Sequence, residues 1–321
     1  MTYKKIAQLA GVSVSTVSKV MSGSNEISAG TSARILEIAN ANSVSPPKYH
    51  RDRIGTRVAV IVPEVISVYY SKFITIIAQL LEKRNIIPVI YITSFDKKQL
   101  GRIVDSIIDS RIDGIISLTS SVPEKKSMPP TVLLLGYSDC HDTVEIDYVS
   151  AIYEAVEYLH KLGHTEIGFV SEKHTDYKLR HFRESAARLG IQLTEKNIFV
   201  SKKRFEEIGY EAVEYYTKRK KLPTAILCAY DEIAMGAIHA FRLHGISVPE
   251  DISVIGINDI PYASYAEIPL TTISTVFGDA SSTAVGMLCD RISGTESKKP
   301  VHVLMKGELT VRSTTAPPKK V

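Results

Sequence analysis

The chain lacks several features that would place it in a special class of protein. Its 321 residues include only three cysteines, Cys140, Cys228 and Cys289, whose odd number and wide spacing fit neither a disulfide framework nor a zinc finger. No uninterrupted apolar stretch approaches the roughly 18 residues that cross a bilayer, and the start of the chain has no apolar secretion signal. These absences predict a soluble cytoplasmic protein that does not interact with membranes.

Signatures of nucleotide binding and of catalysis are also missing. We find no G-x-G-x-x-G and no G-K-S/T after a glycine loop, and neither G-x-S-x-G nor H-E-x-x-H occurs. His160 and His164 are four residues apart, but Gly163, a residue typical of helix ends, lies between them. We therefore expect a capping or surface role for these histidines, and we predict no enzyme, no cofactor and no metal site.

Positive charge, by contrast, is concentrated at one end of the chain. The formal net charge is only +4, but residues 1–58 carry eight basic and three acidic side chains. The other 263 residues carry 31 basic and 32 acidic side chains, so the body is nearly neutral. A basic head on a neutral body indicates a polyanion-binding module attached to a second unit, although a solvated basic surface without a partner has the same composition.

The first helix is predicted over residues 4–10. Ile6, Leu9 and Ala10 recur there at helical spacing and predict an apolar face. Thr2 is a candidate N-cap, because a threonine hydroxyl can accept a bond from an unpaired amide of the first turn.

A glycine turn and a second helix follow. Gly11 can adopt positive φ at a helix end, and Ser13 is well placed to cap a helix over residues 14–21. Val17 and Val20 would pack this helix against the first. A third helix is predicted after a cap at Ser28, with an apolar face formed by Ile35, Leu36 and Ile38. Two helices joined by a tight glycine turn and braced by a third are the plan of a DNA-binding helix-turn-helix.

The string LAGVSVSTVSKV, residues 9–20, closely resembles the helix-turn-helix of the LacI/GalR family of bacterial transcription regulators. The resemblance implies that Val14, Ser15 and Lys19 face base edges in the major groove, where a lysine can donate to guanine O6 and N7. The positions expected to contact phosphates are Thr2, Tyr3, Ser13, Thr16, Ser18 and Thr31. The implied partner is a near-palindromic double-stranded operator, bound by a homodimer that shares its two-fold symmetry.

The hinge after the head departs from the family pattern. Family members place an Ala-rich helix and a minor-groove leucine there, but this chain reads SVSPPKYHRDRIG, with Arg53 where the leucine belongs. Ile54, one residue later, is a shifted candidate for the apolar wedge. Arg51 and Arg53 could instead contact the minor groove electrostatically, and a plain basic linker is a third interpretation.

The body alternates apolar strands with helices from residue 57 onwards. Runs such as RVAVIVPE, EIGFVS and DISVIGIN are typical of parallel strands covered on both faces. Two such series predict two Rossmann-like lobes that bind a ligand at the carboxyl ends of their strands, in the cleft between them. The blocks YLHKLGHTEIGFVS, PTAILCAYDEIAMGAIHA and VPEDISVIGIND resemble the core of the same family, which is similar to periplasmic sugar-binding proteins.

The expected fold is thus a small all-α helix-turn-helix head followed by an α/β core of two Rossmann-like lobes. The predicted units are a DNA-binding head at 1–45, a hinge at 46–56, a first core subdomain at 57–147 and 275–305, and a second at 148–274 and 306–321. The chain would cross between the core subdomains three times, which suits a cleft that closes by a hinge motion.

The family resemblance also implies effector positions in the cleft. Tyr69 and Tyr70 keep two aromatic positions, while Lys178 replaces the arginine that grips sugar hydroxyls. Tyr230 replaces an asparagine and Asn258 an aspartate. The other positions carried over are Asp147, Tyr148, Asp231 and Phe277. Because several polar sugar-binding positions changed together, a plain hexose is less expected than a modified sugar, an anionic ligand that meets Lys178, or no small ligand.

These inferences predict a homodimeric repressor whose operator affinity is controlled by a small, carbohydrate-related effector. One alternative is a catabolite-control-type global regulator governed by a phosphorylated carrier protein. The dipeptide Asp147-Tyr148 resembles the corresponding positions of that branch of the family. A solute-binding protein is a remote alternative, because the absence of a secretion signal argues against it.

Overall fold

The computed structural model describes residues 3–21, 26–41, 55–219, 222–294 and 299–319. Four residues predicted to contact DNA lie outside these ranges: Thr2, Arg51, Arg53 and Ile54. The three interpretations of the hinge therefore stay predictions. In the described parts of the chain, no helix is long and apolar enough to cross a membrane.

Three helices build the head: α1 (Tyr3–Ala10), α2 (Val14–Met21) and α3 (Ala29–Ala41). One small apolar cluster holds them together, and its fully or nearly fully buried members are Ile6, Ala7, Ala10, Val17, Val20, Met21, Ile35 and Ala39. The predicted order of helices is therefore confirmed. One prediction about α1 is wrong: Leu9 is 49% exposed, whereas Ala7 is 4% exposed and takes part in the core. On a helix the buried Ile6, Ala7 and Ala10 define a face from which Leu9 points away.

Local hydrogen bonds set the ends of these helices as predicted. Gly11 has φ +63°, the left-handed conformation that lets the chain turn sharply after α1. The Ser13 Oγ accepts a bond from the Thr16 N–H at 3.0 Å and so caps α2. The Ser28 Oγ accepts from the Thr31 N–H at 3.4 Å in the same way at the start of α3.

The described core elements follow in chain order as β1 (Thr56–Val62), α4 (Val68–Glu82), β2 (Ile86–Ile92), α5 (Lys97–Asp109), β3 (Gly114–Ser117), β4 (Thr131–Leu134), β5 (Asp142–Asp147), α6 (Tyr148–Lys161), β6 (Ile167–Glu172), α7 (Asp176–Arg188), β7 (Ile198–Ser201), α8 (Glu206–Thr217), β8 (Ala225–Cys228), α9 (Asp231–Leu243), β9 (Ser253–Asn258), β10 (Thr271–Ser274), α10 (Phe277–Ser293), β11 (His302–Lys306) and β12 (Glu308–Thr310). Short 3₁₀ turns lie at 173–175, 195–197 and 261–264.

The core strands form two sheets, and each sheet is the centre of one lobe. The first sheet has the order β11-β5-β4-β3-β1-β2, with parallel neighbours throughout. The second has the order β12-β10-β9-β8-β6-β7 and is parallel except for the pair β10–β12. Helices cover both faces of these sheets, which explains the continuous apolar strands seen in the sequence.

The chain passes between the two sheets three times. It leaves the first sheet after β5, returns to that lobe with α10, which packs on α4 and β3–β5, and crosses again between β11 and β12. The carboxyl ends of both sets of parallel strands face each other. This arrangement creates a cleft whose walls come from both lobes.

His164 is not a surface residue, in contrast to the sequence-based expectation. It is 1% exposed, and its ring nitrogens lie 2.9 Å from the Thr224 Oγ1 and 2.9 Å from the carbonyl oxygen of Ala316. Burial lowers the pKa of His164. The imidazole thus joins the loop after α6 to the loop before β8 and to the C-terminal segment, because all three converge at one end of the second sheet.

Candidate functional site

One face of α2 presents the side chains expected to read bases. Val14, Ser15, Ser18 and Lys19 are exposed, whereas Val17 and Val20 are buried. Val14 leaves 46% of its surface accessible although it is apolar. The other face of this helix packs into the head core through Val17, Val20 and Met21, so these side chains lie on the accessible surface of the head.

Hydroxyl groups surround the first turns of α2 and α3. The Ser13 Oγ lies 2.7 Å from the Ser15 Oγ and 2.8 Å from the Thr16 Oγ1, and the Ser28 hydroxyl donates to the Thr31 Oγ1 at 2.9 Å. Two helix N-termini, each with its partial positive charge and its hydroxyls, suit phosphate oxygens. Tyr3, at the start of α1, is partly exposed.

Lys19 forms an ion pair on this surface. Its Nζ lies 2.6 Å from the Glu26 Oε2, with 53% of the lysine side chain and 68% of the glutamate side chain exposed. An exposed pair of this kind contributes at most about 1 kcal/mol. Because the pair is weak, Lys19 can exchange Glu26 for an acceptor on DNA such as a guanine edge.

The cleft between the lobes encloses about 750 Å³ and is walled by the loops that follow the parallel strands. Seven of the nine effector positions implied by resemblance line it: Tyr69, Tyr70, Asp147, Tyr148, Lys178, Tyr230 and Asn258. The volume lies within the range of small-molecule sites in proteins. The structure thus brings together residues from both lobes that are up to 189 positions apart in the sequence.

Aromatic rings form much of the cleft wall. The hydroxyls of Tyr69 and Tyr148 lie 3.0 Å apart, and the rings of Tyr148 and Tyr177 lie 5.8 Å apart. Burial raises the pKa of Tyr69, Tyr148 and Tyr177, so these phenols stay uncharged. Such rings can pack on the flat face of a ligand while their hydroxyls hydrogen-bond its edge.

Lys178 is buried in the wall of the second lobe. It is 3% exposed, its Nζ donates to the carbonyl oxygen of Ala229 at 2.8 Å, and it lies 4.7 Å from the centre of the Tyr148 ring. Burial lowers its pKa to about 7, although Asp231, Glu232 and Glu172 oppose that shift. The ammonium group is therefore only partly protonated near neutral pH.

Asp231 and Phe277 do not reach the cavity surface. Asp231 is fully buried, and its Oδ2 accepts from the Ile260 N–H at 2.8 Å while its Oδ1 accepts from the Thr272 hydroxyl. Burial raises the pKa of Asp231 to about 7. Phe277 is 5% exposed, and its ring centre lies 5.5 Å from that of Tyr69. Both residues support the wall instead of forming it.

The remaining implied positions differ in what they offer to a ligand. Asn258 is 3% exposed with φ +120°, and its Oδ1 has no hydrogen-bond partner among the described residues. The Tyr230 hydroxyl accepts from the Phe205 N–H at 3.0 Å, and the Asp147 Oδ1 caps α6 by accepting from the Ser150 N–H at 2.9 Å. Of these three positions, Asn258 is the one with a buried acceptor that no described residue donates to.

Arg204 is a cleft residue that the sequence-based reasoning missed. Its guanidinium makes a bidentate ion pair with Glu64 of the other lobe, at 2.5 and 2.8 Å, and its Nε lies 3.5 Å from Glu172. It also lies against two rings, 5.0 Å from the centre of Phe95 and 4.7 Å from that of Phe205. The sequence could have indicated Arg204 as a cleft residue, because it lies just after β7, at the carboxyl end of a parallel strand.

A second contact between the lobes lies beside this ion pair. The rings of Phe95 and His174 are stacked with their centres 4.4 Å apart. Phe95 follows β2 and has φ +59°, whereas His174 belongs to the 3₁₀ turn after β6. Together with Arg204 and Glu64, this stack joins the two lobes at the wall of the cavity.

Comparison with known proteins gives matches over nearly the whole chain. Residues 2–46 match the family described as bacterial regulatory proteins, lacI family, and residues 156–315 match the periplasmic binding protein-like domain. The chain is 29% identical to the HTH-type transcriptional repressor CytR of Escherichia coli (strain K12), with 98% of this chain and 96% of the relative covered. It is 28% identical to the Catabolite control protein A of Priestia megaterium, with 89% and 91% covered.

Among solved structures, a complex of the transcriptional regulator CelR with cellobiose has the same fold. Its TM-score is 0.70 at 22% sequence identity, over 98% of this chain and 99% of that chain. The likeness therefore extends over the head and both lobes.

Proposed function

We propose that this chain, which belongs to the LacI family of bacterial regulatory proteins, is a transcription repressor that binds an operator with its head and a small effector in its cleft. The observation that carries the proposal is the combination, in one chain, of an exposed α2 face in a lacI-family domain with a cleft of about 750 Å³ between two lobes. Of the similar proteins named above, CytR is named as a transcriptional repressor and CelR as a transcriptional regulator.

On the operator, Val14, Ser15 and Lys19 would contact base edges, and the hydroxyls around α2 and α3 would contact phosphates. The exposure of these side chains supports the assignment. Phosphate contacts fix the register of the head on DNA, whereas contacts to base edges provide sequence preference.

In the cleft, a ligand would touch both lobes at once. Tyr69 and Tyr70 come from the first lobe, while Lys178 and Tyr230 come from the second. Any ligand that binds one arrangement of the lobes better than another shifts the equilibrium between them, and this is how it would control operator affinity. The cellobiose bound by the similar regulator CelR supports a carbohydrate-related effector.

A homodimer and the unit boundaries given above complete the proposal. Two apolar surfaces support association: the edge strand β2 leaves Ile87, Ile90 and Ile92 about 40% exposed, and an apolar groove beside α9 includes Met235 and Ile268. Two heads on one dimer would read two half-sites. Sedimentation of the purified protein at several concentrations measures the number of chains in the assembly. A monomer at every concentration would contradict the proposed homodimer.

Footprinting tests the DNA-binding function directly. The purified chain is mixed with DNA from the region beside its own gene, and protection is mapped at several salt concentrations. We expect a protected, near-palindromic site, with affinity that falls by roughly 0.9 log unit per neutralised phosphate for each log unit of salt. Absence of any sequence-specific site at low salt would refute the proposal.

Control by a phosphorylated carrier protein is the second candidate, supported by the similarity to Catabolite control protein A. The structure offers little support for the dipeptide on which it was based, because Asp147 caps α6 and Tyr148 is 9% exposed inside the cleft. Thermal denaturation with a broad metabolite panel distinguishes the two candidates. A ligand present at 100 times its Kd adds about 2.7 kcal/mol to the free energy of unfolding. If no metabolite of the panel stabilises the chain and operator binding requires a carrier protein, the second candidate is favoured.

A further inference from the structure

Four side chains join the two lobes at one edge of the cleft: Glu64 and Phe95 of the first lobe, and His174 and Arg204 of the second. We call these four residues the interlobe clasp. The first pair follows β1 and β2, and the second pair follows β6 and β7. Since β2 and β7 are end strands of their sheets, next to β1 and β6, the clasp connects one sheet edge to the other across the cleft.

The ion pair of the clasp has the geometry of a strong charge-assisted contact. The Arg204 guanidinium meets both carboxylate oxygens of Glu64, at 2.5 and 2.8 Å, and the exposed fractions of the two side chains are 29% and 12%. Separation of the lobes would break both bonds at once. Rehydration of the two charges on separation would offset part of the loss, so the remaining contacts of the clasp matter for the balance.

Aromatic rings surround the Arg204 guanidinium and provide those remaining contacts. Its central carbon lies 5.0 Å from the centre of the Phe95 ring and 4.7 Å from that of the Phe205 ring. The Phe95 ring also stacks on His174, with 4.4 Å between the ring centres and 22° between the planes. A guanidinium beside ring faces and a pair of stacked rings are both attractive. The two contacts of Phe95 join the lobes and would be lost on separation.

The backbone on both sides of the clasp has a conformation that residues with side chains rarely adopt. Ser94 and Phe95 have φ +52° and +59° in the first lobe, and Phe205 has φ +59° in the second. Such residues cost free energy and persist where the surrounding structure determines them. Phe95 and Phe205 are also the residues whose rings contact Arg204. This coincidence indicates that the clasp contacts hold both loops in place.

The opposite end of the cavity is accessible to solvent. Tyr137, Val149 and Leu304 line it and are 53%, 46% and 64% exposed. They follow β4, follow β5 and belong to β11, so they lie towards the other edge of the first sheet. The clasp thus closes one end of the cavity and leaves the other end open for a ligand.

We propose that the interlobe clasp holds the lobes together without the help of a ligand, so that the cleft opens only when Glu64 releases Arg204. A ligand shifts the equilibrium between two arrangements only by its difference in affinity for them. The clasp would therefore set the starting point of that equilibrium, and a ligand too large for the open end would exchange only when the clasp releases. This inference concerns the lobes alone and goes beyond the proposed control of DNA binding.

The distance between two spin labels tests the clasp in the full-length chain after extensive dialysis. Arg102→Cys on α5 and Glu206→Cys on α8 place the labels at exposed helical positions of the two lobes, in a background with Cys140→Ser and Cys289→Ser. We expect one narrow distance distribution when the clasp is intact. With Glu64→Gln, which keeps the shape but removes the charge, a second and longer distance should appear, with a population about ten-fold or more larger than with the intact clasp.

A matched control separates opening of the lobes from general destabilisation. Asp142 and Arg291 form a bidentate pair with both distances 2.7 Å, and this pair lies within the first lobe. Asp142 is 3% exposed, so Asp142→Asn should lower Tm but leave the distance distribution unchanged. Phe95→Leu removes the ring contacts and keeps the ion pair, so it should open the lobes to a smaller extent. If Glu64→Gln does not fold, Phe95→Leu provides the test.

Three results would overturn the clasp. One is an unchanged distribution in the folded Glu64→Gln or Phe95→Leu variant. The second is a broad distribution in the dialysed chain with the intact clasp, and the third is equal opening in Asp142→Asn.

Failure of this inference and failure of the proposed function give different results, because the distances are measured without DNA. Gel shifts on the footprinted site provide the comparison. An opened Glu64→Gln variant with unchanged operator affinity keeps the clasp and refutes control of the operator by the arrangement of the lobes. Sequence-specific DNA binding by a chain whose lobes separate freely despite the intact clasp residues refutes the clasp and keeps the DNA-binding function.

Discussion

The head and the cleft organise their polar side chains in opposite ways. On the head, Ser13 bonds Ser15 and Thr16, two and three residues along the chain, and the side chains stay accessible. At the cleft wall, Arg204 bonds Glu64 from 140 residues away, and behind the wall the fully buried Asp231 bonds Thr272 from 41 residues away. The head pairs its polar groups locally and keeps them accessible, whereas the core pairs its polar groups over long stretches of chain and buries them.

Because of this difference, substitutions in the head and in the cleft should affect stability and binding differently. A substitution on the exposed face of α2 removes contacts to a partner and leaves the fold in place. A substitution in the cleft wall leaves a buried partner unsatisfied, so it changes the stability of the lobes as well as ligand binding. Four predictions examine this contrast, beginning with the largest expected effect.

Replacement of Asp231 by alanine should destabilise the core by about 2–5 kcal/mol, because the Ile260 N–H and the Thr272 hydroxyl lose their buried acceptor. Urea denaturation measures the loss. Asp231→Asn keeps one carbonyl oxygen and should lose less. Equal stability of the alanine and asparagine variants would show that these bonds matter little and would weaken the contrast with the head.

Stability of the core should rise with pH between about 7 and 9.5 because of Lys178. Its pKa falls from the usual 10.5 to about 7 on folding, so in this window the unfolded chain binds more protons than the folded one. Lys178 can contribute a slope of at most about 1.4 kcal/mol of unfolding free energy per pH unit. Denaturation at several pH values should show this slope in the wild type and in Lys161→Met, whose lysine is exposed, but not in Lys178→Met. A slope retained in Lys178→Met would contradict the assignment.

Loss of Lys19 should reduce base preference and leave the core stability unchanged. Lys19→Ala is expected to lose about 1–3 kcal/mol of discrimination at one base pair of the operator. Gel shifts with single-base operator variants measure it, and Lys5→Ala, an exposed lysine of α1, is the matched control. Uniform weakening on every operator would assign Lys19 to phosphate contact instead.

The smallest effect is expected at Ser13, where one side chain has two roles. Ser13→Ala removes the cap on the Thr16 N–H and should cost the head about 1 kcal/mol, visible as faster hydrogen exchange of α2 amides. Ser13→Asp keeps a capping oxygen but brings a negative charge to the phosphates. It should preserve the slow exchange and weaken operator binding. If Ser13→Asp binds the operator as well as wild type, Ser13 is not near a phosphate.

Much of the head could be predicted from the sequence because its structure depends on local interactions. Gly11, Ser13 and Ser28 act within a few residues of themselves, and helical spacing identified Val17 and Val20 as core. The error at Leu9 arose where two neighbouring faces of a short helix are both apolar, so spacing alone could not decide which one packs.

Prediction of the cleft from the sequence was less complete. The alternation of strands and helices determined two lobes, and resemblance identified seven residues that the structure places on the cavity wall. It did not identify Arg204, nor show that Asp231 and Phe277 lie behind the wall. Spacing along the chain carries no information about which strand ends face each other across two sheets.

The sequence by itself therefore determined the DNA-binding head, the class of the core and the place of the cleft, since these follow from periodicity, caps and the order of strands. Only the tertiary structure decided the charge of the cleft. Glu64 and Arg204 meet because two lobes bring distant loops together. Burial lowers the pKa of Lys178 and raises the pKa of Asp231, which their residue types alone would not suggest. Burial and long-range pairing are properties of the folded chain, and they change what the same side chains can bind.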